Sequence, residues 1–397
     1  MELEQRRRKE KIMAGHHGVL SVVFLLTALG PADRPLAAQS LDLRGQASAW
    51  LSLTGVRPAN LNFGLRYIPS FSASIAPGKD LTLDAEVSAN AFLNGQAPGG
   101  RFSVTDREIK LYRGWVRFAT PRFEARAGLQ KINFGSASIL RPLMWFDRID
   151  PRDPLQVTDG VTGLLVRYYF PGNANVWAWG LTGNGEAKGW ETSPTVRRSV
   201  EFGGRAQVPV LKGELAFSFH HRRADLGRGV LAGLAAGDPT APEDRFALDG
   251  KWDIGAGVWF EGVLIRQRTL LLAQPDVRQL NLGADYVFGL GNGLRVLAEH
   301  LIVRAAPGPW RRGVGTEFSA AMLSYPASLF DNLSGVFFYD WTNRDVYSFL
   351  SWQRTTDRWQ LFLIGFWNPD QSRIYPSSSG RALFGGKGIQ VMAVFNH

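Results

Sequence analysis

The sequence predicts an all-β protein, a transmembrane antiparallel β-barrel of about eighteen strands, with about sixteen as the alternative count. Three observations predict it. Long segments alternate apolar and polar residues at every second position, the signature of strands with two unlike faces. The connections alternate between tight turns and long excursions, as they do when short turns face the periplasm and long loops the exterior. Although 45% of the residues are hydrophobic, the apolar runs are too short for a membrane-spanning helix. An open sandwich would alternate as well, but it buries its apolar face and turns the polar one to water.

Taken in order, the chain begins with a basic block of Arg6, Arg7, Arg8, Lys9 and Lys11 before the apolar run 19–29. With Leu36, Ala37 and Ala38 ahead of Gln39, this reads as a secretory signal peptide over 1–38, which implies export through the Sec pathway. Met13 is an alternative start. The remainder, 39–397, is expected to be one barrel integral to a bacterial outer membrane. There is no cysteine, so disulfides and thiolate metal sites are excluded. The net charge of +10 and pI near 10.0 arise mostly from arginines spread singly along strands, not from a helix-borne patch. Nucleic acid is therefore not an expected partner.

The first strand, 41–54, sets Leu41, Leu43, Ala47, Ala49, Leu51 and Leu53 against Asp42, Arg44, Gln46, Ser48 and Thr54. The stretch 81–93 repeats the pattern, with Leu81, Leu83, Ala85 and Val87 opposing Asp84, Glu86, Ser88 and Asn90. Further strands fall at 200–210, 246–254 and 280–288, while 316–325 and 346–354 are weakly patterned and leave the count open. Tight turns are expected at 77–80, 120–122, 171–175, 211–213, 255–257, 289–293, 327–332 and 355–358. The long loops fall at 94–106, 135–160, 184–199, 223–244, 268–278, 305–315 and 368–388. Both termini then lie on the periplasmic side. Tyr168, Phe170, Trp177, Trp179, Trp252, Trp259, Phe288 and Trp359 near the tight turns, with Phe219, Trp341 and Trp367 near the long loops, are expected to form two aromatic girdles.

The rest of the chain is organised around 122–160. Its strand carries Glu124, Arg126 and Gln130 on the polar face; the loop after Gly135 holds Arg141, Asp147, Arg148, Asp150, Arg152 and Asp153. That loop is expected to fold into the lumen as a polar constriction with a transverse field. Its plainer alternative is a solvated surface loop. A Ca2+ site on Asp147, Asp150 and Asp153 is disfavoured by the intervening arginines, so neither metal nor cofactor is expected. Arg44, Arg66, Arg126, Arg167, Arg205, Arg245 and Arg295 share the polar parity with Gln130 and are expected to line the lumen wall, where guanidinium forks take carboxylate or phosphate. Inward carboxylates such as Asp84, Glu86, Glu124, Asp249, Glu261, Asp285 and Glu299 oppose that reading: if they pair with the arginines, the pore is nearly unselective. His220, His221, His300 and His397 fall in no nucleophile or metal motif, so an enzyme is not expected.

Arg113, the run Arg126-Ala127-Gly128-Leu129-Gln130, the pair Phe134-Gly135 and Asp150-Pro151-Arg152-Asp153-Pro154 together resemble the pattern of alginate-export-like porins. The resemblance implies an outer-membrane channel with an arginine-rich lumen but carries no substrate; small polar solutes of anionic or sugar-like character are expected from the inward arginines themselves. Outer-membrane lipid and the barrel-assembly machinery follow as partners, with the chain a monomer or a homotrimer. The alternative is a barrel plugged by its loops that serves surface polysaccharide export or envelope assembly.

Overall fold

The computed structural model describes residues 39–55, 60–98, 100–233, 239–369 and 384–397; the expected signal peptide lies outside them. The strands run β1 (Gln39–Thr54), β2 (Asn60–Gly78), β3 (Leu81–Pro98), β4 (Ser103–Ala119), β5 (Phe123–Gln130), β6 (Val161–Tyr169), β7 (Asn175–Thr182), β8 (Val200–Val210) and β9 (Gly213–Asp225). They continue as β10 (Thr240–Asp253), β11 (Gly257–Gln267), β12 (Asp276–Phe288), β13 (Leu294–Ala306), β14 (Val314–Pro326), β15 (Asp331–Asp340), β16 (Asp345–Thr355), β17 (Trp359–Trp367) and β18 (Lys387–Asn396). Each pairs antiparallel with the next. β18 returns to β1, with Leu51 opposite Val391 and Ala47 opposite Phe395, and closes an eighteen-stranded barrel.

The alternation fixes the two faces. Leu43, Leu51, Leu65, Ile109, Leu164, Phe202, Leu282, Leu363 and Val391 are all exposed, a continuous apolar band that water would not tolerate and lipid solvates. Closure satisfies the backbone, since a closed sheet has no unpaired edge. The tight turns fall where expected, and Asn173 and Leu211 take positive φ (61° and 56°) in two of them.

Several expectations need correction. The stretch 94–106 is not a long loop: β3 and β4 extend through it, pairing Asn94 with Asp106 and Gln96 with Ser103. Its Gly, Asn and Pro content mimics a loop, yet an irregular register accommodates it. Likewise β9 and β10 continue into 223–244, pairing Asp225 with Thr240. Trp177, Trp179 and Trp259 do not join a girdle. Trp179 and Trp259 are buried on the inner face, and Trp177 packs against the same interior cluster as Trp179. Tyr168, Phe170, Phe288, Trp359, Trp341 and Trp367 are exposed on the outside.

The count of eighteen also explains its own uncertainty. The weakly patterned stretches are β14 and β16, whose inward residues Phe318, Ala320, Tyr347 and Phe349 are buried and apolar. They face an infolded loop and not water, so both faces of these strands are apolar and the period-two signal fades.

Candidate permeation pathway

The loop 131–160 lies inside the barrel. Ile132, Phe134, Leu143, Trp145 and Phe146 pack on Val161, Leu165, Trp179, Leu181, Ala247 and Val263. Ile139, Leu140, Met144 and Ile149 pack on the inward side chains of β11 and β13–β17, including Leu297, Leu301, Phe318, Phe338, Tyr347, Phe349 and Phe366. Each such side chain removed from water contributes roughly 1.5–3 kcal/mol, so the loop is a second core. Its backbone is held too. The Glu299 carboxylate accepts from the N–H groups of Ser138 (2.6 Å), Ile139 (3.1 Å) and Leu140 (2.6 Å), and Glu261 accepts from Ala137 (2.7 Å) and Leu143 (3.2 Å). Asn281 donates to the Leu140 carbonyl at 2.8 Å. These carboxylates are therefore occupied by the loop and not by wall arginines. Gly135 turns the chain at φ 94°, where a Cβ would press on the Glu261 carboxylate and Leu143.

The charged half of the loop is largely paired within itself. Arg141 lies 3.5 Å from Asp147, and both are buried. Burial raises the Asp147 carboxyl above its ordinary value against the opposing pull of Arg141, and burial raises Asp153 similarly. Arg152 grips Asp150 through Nε (2.8 Å) and Nη2 (2.7 Å), with its guanidinium 5.7 Å from the rings of Phe349 and Phe384. Asp153 accepts from the Leu155 N–H at 3.0 Å, and Arg148 donates to Ala187 O of the neighbouring loop 183–199. Asp147, Asp150 and Asp153 thus face three separate partners and do not converge on one cation. Trp190 ties the two loops together, its Nε1 donating to Arg141 O at 2.9 Å.

The expected wall residues divide into three groups. Arg44 pairs with Asp42 at 2.5 Å and Arg295 with Asp285 at 2.6 Å, both near the tight-turn mouth and well exposed. Arg205 and Arg245 are buried: Arg205 forms a fork with Asp249 (2.6 and 2.8 Å), and Arg245 bonds Glu243 and Glu191 at 2.6 Å each. Gln130 is fully buried, with its amide donating to Arg126 O and Gly163 O.

The third group lines the wall opposite the loop's apolar anchor. Arg126, Arg167 and Arg117, from β5, β6 and β4, surround Glu124 at 3.1, 3.6 and 3.9 Å. Arg117 also binds Asp84 at 2.7 Å. The guanidinium of Arg167 lies over Trp177 (3.9 Å) and that of Arg126 over Trp115 (4.6 Å). Arg66 rests over Trp50 at 5.7 Å, and Arg113 stacks on Tyr112 and donates to Thr158 O at 3.0 Å. Among the described residues neither Arg66 nor Arg113 has a carboxylate partner within ion-pair distance. Arg113, Arg117 and exposed Lys131 were not singled out from sequence as wall residues; the inward parity of Arg117 on β4 was a signal that could have found it. The buried pairing of Arg222 with Glu243 (2.6 Å) and Glu191 (3.1 Å) was missed as well. His220 is enclosed under Trp145 and Phe146, accepting from Trp179 Nε1 (3.1 Å) and lying 3.3 Å from Glu201.

Solved structures share this architecture. OccD3 (OpdP) of Pseudomonas aeruginosa superposes with a TM-score of 0.56 at 11% identity, over 92% of this chain and 93% of that one. The fold is that of an outer-membrane porin. OccK5 (OpdH) of Pseudomonas aeruginosa gives 0.54 at 10% identity over 90% and 97% of the two chains. The trimer form of OmpT, an outer-membrane protein of Vibrio cholerae, gives 0.50 at 11% over 91% and 100%. No protein-family profile and no curated protein matches the sequence. The porin barrel, with its lipid-facing outer band, places the chain integrally in the outer membrane; the narrower resemblance to alginate-export porins rests on its motif residues alone.

Proposed function

We propose that the chain is a channel for small anionic solutes, of carboxylate or acidic-sugar character, that pass between the infolded loop and the β2–β6 wall. The observation that carries this reading is Arg66, which rests over Trp50 and among the described residues has no carboxylate within ion-pair distance, together with three arginines that share only Glu124 and Asp84; buried Arg113 instead pins the loop through Thr158 O. A carboxylate entering the passage exchanges water for charge-assisted hydrogen bonds that the wall leaves unmade. The transverse field expected of the loop is reduced to its edge, because Arg141–Asp147 and Arg152–Asp150 neutralise each other. No catalytic role is assigned: both ring nitrogens of His220 have partners, beneath two aromatic rings. Folding by the barrel-assembly machinery after Sec export, and a monomeric or trimeric state, belong to the same reading. The test is the reversal potential of the refolded mature protein in a salt gradient. Anion preference that falls in Arg66→Ala is expected, and cation preference in the unaltered protein would sink the proposal.

A second reading has its own observation. The two loops 131–160 and 183–199 are knitted to each other and to the wall, as in a plug. A barrel closed in this way would serve polysaccharide export or envelope assembly, and it would give a silent bilayer although correctly folded.

A further inference from the structure

The outer surface carries polar chemistry that a lipid-facing wall does not need. On the outward face of β12 and β13, Arg278 stands directly opposite Arg304. The exposed Leu280 and Leu282 below Arg278 share its parity. Like charges directly opposed across a strand pair repel and weaken it. Glu317 of β14 pairs with Arg304, whereas Arg278 donates to Arg311 O at 2.9 Å and among the described residues meets no carboxylate. Two residues further down the same face, beyond Ile302, His300 Nδ1 lies 2.9 Å from Ser319 Oγ, and Trp341 Nε1 donates to the same oxygen at 2.8 Å. Beneath this polar cap a shallow groove of about 640 Å³ is floored by Ala284, Ala298 and Ala321 between Leu282 and Phe337.

The two arginines and Glu317 sit at the long-loop end of the strands, the level of the outer-leaflet headgroups, and the groove lies below them, toward the middle of the barrel. Along the rim beside it Arg223, Arg266 and Arg268 are exposed as well, Arg266 paired with Asp276 and Arg268 with Asp244. We infer that Arg278 and Arg304 clamp a phosphate group on the headgroup of an outer-leaflet lipid, whose acyl chain lies in the alanine-floored groove. An anion between the two guanidiniums turns their repulsion into a paired fork. The surface is polar at the rim where a headgroup would sit and small-residue and apolar below it where a chain would run, so charge and shape follow each other down the strands. Trp341, set edge-on to Tyr339 with ring centres 4.8 Å apart, marks the boundary between them.

The test is native mass spectrometry of the detergent-folded mature protein titrated with bis-phosphorylated lipid A and with its dephosphorylated form. Retention of the phosphorylated lipid alone is expected, falling about tenfold or more when Arg278 and Arg304 are both changed to Ala. The Arg278→Lys, Arg304→Lys pair keeps the charge without the fork and should give an intermediate loss, which separates clamping from misfolding. Folding of each variant is read from its heat-resistant gel migration. Equal retention of the dephosphorylated lipid, or undiminished binding by the Ala pair, would overturn the inference. So would competition by inorganic phosphate at equal concentration, which marks a free-anion site. A change from trimer to monomer in the Ala pair would assign the patch to a second copy of the chain.

Discussion

The two sides of the barrel interior are built from different chemistry. On β2–β5 the inward residues include Arg66, Ser88, Asn90, Arg113, Glu124 and Arg126; on β13–β17 they include Leu297, Leu301, Phe318, Phe338, Tyr347 and Phe366. The first wall is polar and charged, the character expected of a lumen wall. The second is the wall of a protein core, completed by the loop 131–160. The difference teaches that this barrel does not merely tolerate an infolded loop: much of its interior is built to hold one, and the polar remainder is the route proposed above.

The sharpest way to break that contrast is to remove the anchor. Glu299→Ala deletes the acceptor for three consecutive loop N–H groups and should weaken the loop's attachment by about 3 kcal/mol or more. Amide exchange across 137–140 should rise steeply, and conductance should become larger and noisier. Unchanged protection there would mean that the apolar contacts alone hold the loop. Leu140→Ala empties a site that is fully enclosed and should cost about 2–4 kcal/mol of the same attachment, measured as an earlier release of the loop in denaturant while the barrel stays closed.

A smaller effect separates the walls by pH. Burial raises the folded-state pKa of Asp147 and Asp153 above that of the unfolded chain, so the folded loop binds protons more readily than the released one. Acidification through those raised values down to the ordinary carboxyl value of 3.8 therefore strengthens the infolded state, and rising pH weakens it. Conductance noise should fall as pH is lowered through that window. Asp147→Asn should be quieter than the unaltered protein at neutral pH and lose part of the dependence. Noise that grows on acidification would reverse the sign and contradict the burial account.

How far the sequence goes follows from which face it describes. The outward face of the membrane band meets one solvent, lipid, so the aliphatic and small residues at every second position of 41–54 and 81–93 read directly as strands, and the infolding of 135–160 is legible in its irregular, charged character. The inward face meets two environments. Alternation places Glu261 and Glu299 inside but cannot say that they receive loop N–H groups and not arginines. It places Arg205 and Arg245 inside without showing that Asp249, Glu243 and Glu191 enclose them. Trp177, Trp179 and Trp259 look like girdle residues because an inward Trp has no reason to exist until the loop's apolar half is put beside it.

The absence of cysteine provides the most direct measurement of the central claim, that solutes run along the β2–β6 wall and not beneath the loop. Single substitutions Arg126→Cys on the polar wall and Ala320→Cys on the apolar wall are each exposed to a negatively charged thiol reagent during single-channel recording. The account predicts stepwise block in Arg126→Cys and no response in Ala320→Cys, whose position is only 3% exposed. Block at Ala320→Cys with Arg126→Cys silent would place the route on the other side of the loop and contradict it.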